Sequence, residues 1–276
     1  MIKVGSCTVL YNPDENVVSN LNSYIKNVDT FVIVDNSDIK NNISIEIKNC
    51  FKENYIDMYG NKGIAAALNR GIDELKKRDV DYALTMDQDS EFPIKFYKNI
   101  LGLIEKYKNE YSVIGLNFNN QIMEKTDSIV EVPCWLTSGN FVNISDFTKI
   151  GKFDEQLFID YVDIEMGYKL YKNGLKICYL NDYSLNHSIG NPIAINIFGK
   201  KFYSMNHNKI RYYYRYRNSY YLFKKNKNFF KKYFYKEMFI NIPKMLIFEK
   251  DRKGKMIMIK KGLHDASIAN LGKYNE

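Results

Sequence analysis

Short apolar strands alternate with amphipathic helices along the first half of the chain, and this alternation constrains the fold more than any other feature. Strand-length runs of apolar, β-branched and aromatic residues occur at 3–10, 30–34, 55–59, 82–86 and 111–116. Apolar side chains at helical spacing occur between them, at 17–28, 63–77 and 97–104. Strands that alternate with helices pair in parallel, and the helices cover the sheet. The pattern therefore predicts an α/β fold with a mainly parallel sheet.

Local signals predict where two helices begin and end. Asn12 is a candidate N-cap, Pro13 suits the first helical position, and Glu15 is placed to close a capping box. Gly174 suits the left-handed residue that commonly follows a helix. We therefore expect one helix to start at Pro13 and another to end before Gly174.

Acidic turns follow two of the predicted strands. Asp35 follows 30–34, and the sequence Asp87, Gln88, Asp89 follows 82–86. Ligands of such sheets bind beyond the carboxyl ends of the strands, so the two turns could face one crevice. Asp87 and Asp89 could bind Mg²⁺ or Mn²⁺, which prefer oxygen ligands and share them with substrate phosphates. The alternative is an ordinary polar turn, where Asp is common.

A second acidic group precedes the helix that ends before Gly174. It contains Asp160, Asp163 and Glu165. Carboxylates at this position can complement the positive end of the helix dipole. A carboxylate can also act as a general base that takes a proton from a sugar hydroxyl group as that group attacks. The residues by themselves leave both interpretations open.

The single tryptophan, Trp135, stands just before two small residues, Ser138 and Gly139. Small residues permit the close approach of a ligand, but a core tryptophan beside a strand-to-turn transition is the alternative. His187 follows the apolar run 175–180. A lone histidine can be a ligand or a structural hydrogen-bonding residue.

Several classes of site lack their sequence signatures. No G-x-x-x-x-G-K-[ST] occurs, which excludes a P-loop, and no G-x-G-x-x-G follows the first strand. Four widely spaced cysteines and three histidines exclude a zinc ribbon and a histidine-rich metal site. The first ten residues do not resemble a signal peptide, and no apolar stretch is long enough to span a bilayer. We therefore expect a cytoplasmic protein with reduced thiols.

Charge divides the chain near residue 199. Residues 200–276 carry 20 Lys and Arg against 5 Asp and Glu, a net charge of +15, whereas residues 1–199 have a net charge of −7. We therefore predict a body at 1–198 and a basic, aromatic-rich helical extension at 199–276. Cations interleaved with aromatic side chains suit an anionic membrane surface. The alternatives are a helical subdomain or homodimer interface with solvated lysines, and a surface for single-stranded nucleic acid. We do not expect nucleic acid, because it would leave the acidic turns unexplained.

The motifs occur in a specific order along nearly the whole chain. They are TVLYNP at 8–13, VDNS at 34–37, GNKGIAAALN at 60–69, DQDS at 87–90, TSG at 137–139, FDEQLFIDYVDIE at 153–165, HNKIRYY at 207–213, RN at 217–218 and KGLHD at 261–265. Together they resemble the family 2 glycosyltransferases, and in particular their rhamnosyltransferase branch. The resemblance implies the GT-A fold, a mixed and mainly parallel sheet flanked by helices.

The resemblance also implies roles for individual residues. The nucleotide-sugar would be bound by Thr8, Tyr11, Asp35, Gly63, Asn69, Asp87 and Gln88. The metal would be bound by Asp87, Asp89 and His187, with Asp89 the more direct ligand. The donor-sugar and acceptor site would be shaped by Trp135, Ser138, Gly139, Asp160 and Glu165. Asp163 would be the catalytic base, with Asp160 as the competing assignment. In the tail, contacts to phosphate or acceptor would come from His207, Arg211 and Arg217.

The reaction that this resemblance implies is transfer of a sugar with inversion, assisted by Mn²⁺ or Mg²⁺. L-Rhamnose from a dTDP- or UDP-sugar is the expected donor group, and a surface polysaccharide or lipid-linked glycan is the expected acceptor. Such an enzyme would lie in the cytoplasm, peripheral to the inner face of the plasma membrane. A sugar-1-phosphate nucleotidyltransferase is the alternative enzyme, but its glycine-rich, basic N-terminal loop has no counterpart at 5–8.

Overall fold

The computed structural model of the protein describes residues 2–118, 129–187, 193–197, 200–204 and 206–275. The chain forms two compact units. The first comprises Met1–Glu155 and Asp163–Ser188, and the second comprises Gln156–Val162 and Ile189–Glu276. The short 156–162 segment, which precedes Asp163, thus belongs with the C-terminal part of the chain. Residues 198 and 199, where the sequence suggested a boundary, lie outside the described residues.

A nine-stranded sheet forms the centre of the first unit. Its strands are β1 (Val4–Leu10), β2 (Thr30–Asp35), β3 (Tyr55–Asp57), β4 (Tyr82–Asp87), β5 (Ser90–Glu91), β6 (Val113–Phe118), β7 (Ile129–Glu131), β8 (Asn140–Asn143) and β9 (Ile177–His187). The order across the sheet is β3-β2-β1-β4-β8-β6-β9-β5, and β7 pairs with β9. All seven residues of β1 are buried, as expected for a central strand covered on both faces.

The sheet is mixed. Pairs β2–β3, β1–β2, β1–β4 and β6–β9 are parallel. Pairs β4–β8, β6–β8, β7–β9 and β5–β9 are antiparallel. The parallel part that the βαβ pattern predicted is therefore present in β3-β2-β1-β4, and the antiparallel strand β8 joins it to β6 and β9. The strand predicted at 111–116 begins at Val113 and continues to Phe118.

Six helices flank this sheet in the described residues of the first unit. They are α1 (Asn16–Asn22), α2 (Asn42–Phe51), α3 (Ile64–Lys77), α4 (Tyr97–Tyr107), α5 (Ile144–Lys149) and α6 (Val162–Lys172), whose first residue belongs to the second unit. The apolar faces of α1, α2 and α4 join one core of aliphatic and aromatic side chains that includes Val4, Leu21, Ile33, Ile104 and Phe141.

One of the two predicted helix ends is confirmed by the structure, and the other is wrong. Gly174 has φ of 69° just beyond α6, which confirms its expected role. The capping box at Asn12 was wrong, because α1 starts only at Asn16 and Asn12 itself is left-handed with φ of 47°. The Asn12 backbone N–H instead donates to Ser37 Oγ at 2.8 Å. A tertiary contact between the ends of β1 and β2 therefore displaces the local cap.

The second unit is mainly helical in its described residues. It contains α7 (Lys209–Lys225), α8 (Lys227–Lys236), a π-helical turn (Glu237–Asn241), α9 (Ile242–Phe248) and α10 (Arg252–Ser267), together with the hairpin of β10 (Ile193–Ile197) and β11 (Lys200–Ser204). Helices α7 and α10 pack closely, since a Cβ at Gly262 would lie 2.5 Å from the Tyr213 carbonyl oxygen. No helix among the described residues has the length and apolar character required to cross a bilayer.

Candidate active site

Two acidic strand ends lie on either side of the end of β1. In the parallel register, Leu10 of β1 pairs with Asp35 of β2, and Val9 pairs with Asp87 of β4. The carboxyl ends of parallel strands share one edge of the sheet, which is where α/β proteins bind ligands. The two acidic turns therefore flank the end of β1 at one edge of the sheet of the first unit.

The turn after β4 is fixed by the Ser138 hydroxyl group. The Asp87 backbone N–H donates to Ser138 Oγ at 2.9 Å, and the Ser138 hydroxyl lies 2.8 Å from Ser90 Oγ. Gly139 follows with φ of 72°, and its N–H donates to the Thr85 carbonyl oxygen at 2.8 Å. Ser138 is buried, so we see its role as support for the acidic turn.

The Gln88 side chain forms two hydrogen bonds with the Tyr11 backbone, a contact that the sequence did not indicate. The Tyr11 backbone N–H donates to Gln88 Oε1 at 2.8 Å, and Gln88 Nε2 donates back to the Tyr11 carbonyl oxygen at 3.1 Å. Asn20 Nδ2 donates to the Gln88 carbonyl oxygen at 2.9 Å. Gln88 thus ties the turn after β4 to the end of β1, while the Tyr11 side chain stays exposed and Asp89 lies at the surface.

Asp35 is fully buried at the end of β2. Its carboxylate accepts hydrogen bonds from the Ser37 backbone N–H at 2.9 Å, from Tyr55 Oη at 2.7 Å and from Lys40 Nζ at 3.1 Å. Burial alone would raise its pKa, but the hydrogen bonds from Ser37 and Tyr55 outweigh burial, and the pKa is lowered. Asp35 is therefore an ionised acceptor beneath the crevice.

Gly63 stands at the start of α3, where the backbone is left-handed with φ of 91°. Its N–H donates to Asn61 Oδ1 at 2.9 Å, and Asn36 Nδ2 donates to the same oxygen at 3.1 Å. The asparagines thus connect the end of β2 to the N-terminus of α3, an end that favours negative charge. The sequence motifs contained both residues, but no local signal assigned them this role.

Two residues predicted to contact the nucleotide, Thr8 and Asn69, have buried side chains in this structure. The Thr8 side chain is buried in the sheet, and its hydroxyl lies 2.5 Å from the Tyr24 hydroxyl. The Asn69 side chain is buried too: it donates to the Phe153 carbonyl oxygen at 3.0 Å and to Glu155 at 2.8 Å, and it accepts from the Phe153 N–H at 3.1 Å. Thr8 therefore supports the core, and Asn69 anchors the turn at 153–155.

Asp163 lies in the first turn of α6 with its side chain half-buried. Glu165, in the same turn, is fully buried and forms an ion pair with Lys169 at 3.2 Å. Helix α6 packs on the 133–134 backbone, since a Cβ at Gly167 would lie 2.7 Å from the Pro133 carbonyl oxygen. Glu165 is therefore a buried partner of Lys169, whereas Asp163 keeps partial access to solvent.

Trp135 is a buried core residue in this structure. Its ring lies 6.5 Å from the ring of Phe153, and it is 2% exposed. Its indole N–H has no hydrogen-bond partner among the described residues. The core alternative therefore describes the free protein, and direct contact of Trp135 with a sugar stays a prediction.

His187 is placed only by its backbone. It pairs with Ser90 where β9 meets β5, which brings its backbone beside the residue after Asp89. Its side chain lies outside the described part of the structure, so its predicted role as a metal ligand stays a prediction.

Within the second unit, Asp160 is held by Arg211. Arg211 Nε lies 3.2 Å from Asp160 Oδ2, and Arg211 Nη2 lies 3.1 Å from Asp160 Oδ1, which is a forked ion pair. His207 is half-buried nearby. Burial and the neighbouring Arg211 cation lower the pKa of His207 to about 4, so the ring is neutral near pH 7.

Arg217 does not meet the expectation of a phosphate contact. Its side chain is fully buried, and its guanidinium donates to the carbonyl oxygens of Gly272, Gln156 and Leu157 at 2.6, 3.2 and 3.0 Å. The same group lies over the rings of Tyr213 and Tyr214. Arg217 is therefore an internal support of the second unit.

Comparison with known proteins adds a family and a fold. The model of glycosyl transferase family 2 matches residues 7–150. The dTDP-rhamnosyl transferase RfbF of Shigella flexneri is 28% identical over 236 residues, with 79% of each chain covered. S. aureus TarS 1-349 in complex with UDP-GlcNAc superposes with a TM-score of 0.61 at 15% identity, over 96% of this chain and 80% of that one.

A second solved structure has the same fold. GalNAc-T7 with UDP, GalNAc and Mn²⁺ superposes with a TM-score of 0.60 at 12% identity, over 98% of this chain and 57% of that one. A longer S. aureus TarS structure has only 37% of its length covered by this chain. At such identities these structures show a shared architecture.

Proposed function

The chain belongs to glycosyl transferase family 2, and we propose that it transfers L-rhamnose from a nucleoside diphosphate donor to a hydroxyl group of a glycan, with inversion at the anomeric carbon. Rhamnose and the dTDP carrier are suggested by the relative from Shigella flexneri, and UDP is the alternative carrier. The observation that carries the proposal is the Asp87 turn, which Ser138 and Gln88 fix beside the end of β1.

Asp87 and Asp89 suit a divalent cation. Mg²⁺ commonly takes one or two carboxylates and completes its shell with water and substrate phosphates. The described side chains include no cluster of three or more His, Cys, Asp or Glu, and the His187 side chain lies outside them. Bound Mn²⁺ or Mg²⁺ would neutralise charge that develops on the departing diphosphate. His187 is our proposed third ligand, because its backbone pairs with Ser90.

The donor nucleotide would bind at the carboxyl ends of β1, β2 and β4. Tyr11 presents an exposed ring to stack on the base, and Gln88 holds the Tyr11 backbone in place. Gly63 lets the chain turn sharply before α3, so that the first N–H groups of the helix can approach the diphosphate. Ser138 and Gly139 would orient the sugar through the acidic turn that they support.

Asp163 is our candidate for the general base. Its carboxylate would take the proton of the acceptor hydroxyl while the hydroxyl oxygen bonds to the anomeric carbon and the bond to the diphosphate oxygen breaks. The competing residue, Asp160, already has both carboxylate oxygens bound by the Arg211 guanidinium. We assign the base to Asp163, which the sequence resemblance favours and which lies half-buried in the first turn of α6.

Product analysis tests the proposal. The purified chain should release nucleoside diphosphate from dTDP-rhamnose or UDP-rhamnose in the presence of Mn²⁺ and a glycan acceptor, and thermal shift with a panel of nucleotide-sugars should show the preferred donor. Release of pyrophosphate from a nucleoside triphosphate and a sugar 1-phosphate would instead indicate a nucleotidyltransferase. Failure of every nucleotide-sugar to bind would refute the proposal.

We also propose that the acceptor is a lipid-linked glycan and that α8 and α9 contact the anionic membrane surface that carries it. Phe239, in the π-helical turn between α8 and α9, is 74% exposed, and Ile247 of α9 is 60% exposed. Lys231, Lys232 and Lys236 are exposed on α8. Apolar side chains flanked by lysines suit the boundary between headgroups and acyl chains.

Flotation with liposomes tests this surface. The protein should float with vesicles that contain anionic lipid, less at high salt, and the double substitution Phe239→Ser and Ile247→Ser should reduce flotation further. Vesicles of neutral lipid are the control. Absence of salt-sensitive binding would leave α8 and α9 as a helical subdomain or homodimer interface.

A further inference from the structure

We infer that Arg217 and Asn218 are positioning residues, which hold the 156–162 segment and thereby set the position of Asp163. The segment runs directly into Asp163, and it packs with α7 in the second unit. The inference rests on the proposed role of Asp163 as the base. Neither Arg217 nor Asn218 is expected to touch the substrate, because both side chains are fully buried.

The segment has an unfavourable backbone. Phe158, Asp160 and Tyr161 have φ of 65°, 61° and 67°, and none of them is glycine. Residues with a Cβ rarely adopt this left-handed conformation, and bulky residues such as Phe158 and Tyr161 are outliers there. Such a conformation persists only where the surrounding structure holds it, and it clusters at functional sites. Three of the four residues at 158–161 have this conformation, so contacts from elsewhere in the fold must stabilise it.

Asn218 provides the first part of that support. Its Nδ2 donates to the carbonyl oxygens of Leu157, Ile159 and Asp160 at 2.8, 2.8 and 2.9 Å. An amide group has two hydrogens, so three acceptors at this distance share them. One side chain therefore fixes three carbonyl groups within the unfavourable stretch.

Arg217 provides the second part. Its Nη2 donates to the carbonyl oxygens of Gln156 and Leu157, and its Nε donates to Asn218 Oδ1 at 3.0 Å. The last bond orients the Asn218 amide so that its nitrogen faces the segment. Burial of a guanidinium is costly, and an apolar side chain of similar volume would fill the space equally well. The hydrogen bonds to the segment, rather than packing, therefore explain an arginine here.

Side chains of the segment also contact the helical part of the second unit. The Phe158 ring stacks on Tyr214 with a centroid distance of 4.9 Å, and Tyr161 Oη donates to Glu237 at 3.0 Å. Asp160 is bound by Arg211, as described above. Every residue of the segment with positive φ thus has a side-chain partner, and α7 carries two of the three.

Kinetics of two variants test the inference. Asn218→Ala and Arg217→Lys should lower kcat about 10- to 100-fold, because small displacements of a catalytic group have effects of this size. The KM for the donor and the affinity for nucleoside diphosphate should stay at wild-type values, since the nucleotide contacts are elsewhere. Hydrogen exchange at 156–162 should become faster in both variants.

Tyr212→Phe is the matched control. It also lies on α7 and also removes a buried hydrogen bond, the one from Tyr212 Oη to Glu249 at 2.7 Å. We expect this variant to keep the kcat of the wild type and the slow exchange at 156–162. If it lowers kcat as much as Asn218→Ala at a similar melting temperature, the effect is one of general stability and the inference is wrong.

Two further outcomes separate the inference from the proposed function. Wild-type kcat together with faster exchange at 156–162 in the variants would overturn the positioning role. A wild-type protein that transfers no sugar would refute the proposed function. Independently of that result, unchanged hydrogen exchange at 156–162 in both variants would show that Arg217 and Asn218 do not hold the segment. If Asn218→Ala does not fold, Arg217→Lys, which keeps the charge and most of the volume, carries the same expectations.

Discussion

The two units bury different kinds of side chain. The core of the first unit is largely aliphatic and lies between a sheet and helices, with its acidic residues at strand ends. The second unit packs tyrosines such as Tyr212, Tyr213 and Tyr216 between helices, and it buries charged groups among them. The second unit is rich in Lys and Arg but keeps some of its charged side chains away from solvent. Its composition alone therefore does not reveal which charges face solvent.

Buried charges account for part of the basic character of the second unit. Lys255 and Glu249 form an ion pair at 2.7 Å with side chains 4% and 5% exposed. Arg217 is fully buried. A buried ion pair such as Lys255–Glu249 adds little net stability, because the desolvation of both charges offsets their attraction. The charge of +15 thus includes internal cations, which cannot contact a membrane or a phosphate.

The largest effect should come from replacing Asp163, and a smaller effect from replacing Asp160. Asp163→Asn should lower sugar transfer about 10²- to 10⁴-fold, because an amide cannot accept the proton. Asp160→Asn should have a smaller effect, since it weakens the Arg211 ion pair but leaves Asp163 ionisable. Steady-state kinetics would compare the turnover of the two variants, and calorimetry would measure whether each still binds the nucleotide. Equal turnover in wild type and Asp163→Asn would reverse the assignment.

The next effect concerns the acidic turn of the first unit. Asp89→Ala should remove most of the gain in donor affinity that Mn²⁺ produces, because it removes one of two proposed oxygen ligands. Asp79→Ala is the control, since the Asp79 side chain lies at the surface and forms an exposed ion pair with Lys3. Calorimetric titration of nucleoside diphosphate with and without Mn²⁺ measures the gain. A gain equal to that of wild type would contradict the ligand assignment.

A pair of glycines tests the packing of each unit. Gly262→Ala in the second unit should lower the free energy of unfolding by about 1–3 kcal/mol, because the new Cβ meets the Tyr213 carbonyl oxygen at 2.5 Å. Gly102→Ala in α4 of the first unit should raise it by about 0.5–1 kcal/mol, because nothing lies within 4 Å and Ala favours helix. Denaturant unfolding of both variants measures whether each substitution raises or lowers the free energy of unfolding. An unchanged or raised free energy of unfolding in Gly262→Ala would contradict the packing described for α7 and α10.

The smallest effect is a difference in acid sensitivity. The pKa of His207 is lowered to about 4, so its contribution to stability is present above its unfolded value of 6.5 and is lost as the pH falls toward 4. Asp35 also has a lowered pKa, but its contribution is lost only below 3.8. His207→Gln should therefore flatten the pH dependence of unfolding between 6.5 and 4, by on the order of 1 kcal/mol. An unchanged slope would show that His207 is not held neutral.

Much of the first unit could be predicted because its signals are local. Buried strands at 30–34 and 82–86, the helix at 63–77 and the C-terminal glycine at Gly174 all occur as expected. The expected GT-A fold is confirmed by the solved structures that share it. Helix α2 was missed, and the cap at Asn12 was wrong, because a contact with Ser37 replaced a local preference.

The roles of polar side chains were harder to predict, because a motif does not show which neighbour a side chain meets. Asn69 stands in a motif that resembles a nucleotide site, yet its amide binds the 153–155 turn. Arg217 and Asn218 belong to a basic run that suggested phosphate, yet they bind backbone carbonyl groups. In each case the partner lies more than 50 residues away in sequence.

The sequence by itself determined the family, the alternation of strands and helices, and the acidic turn at Asp87, because each depends on residues close together along the chain. The tertiary structure alone decided that Ser138 supports that turn, that Gln88 holds Tyr11, and that the 156–162 segment joins the C-terminal helices. These arrangements depend on buried polar groups finding partners, and a buried polar group accepts whichever distant partner the fold brings within hydrogen-bonding distance.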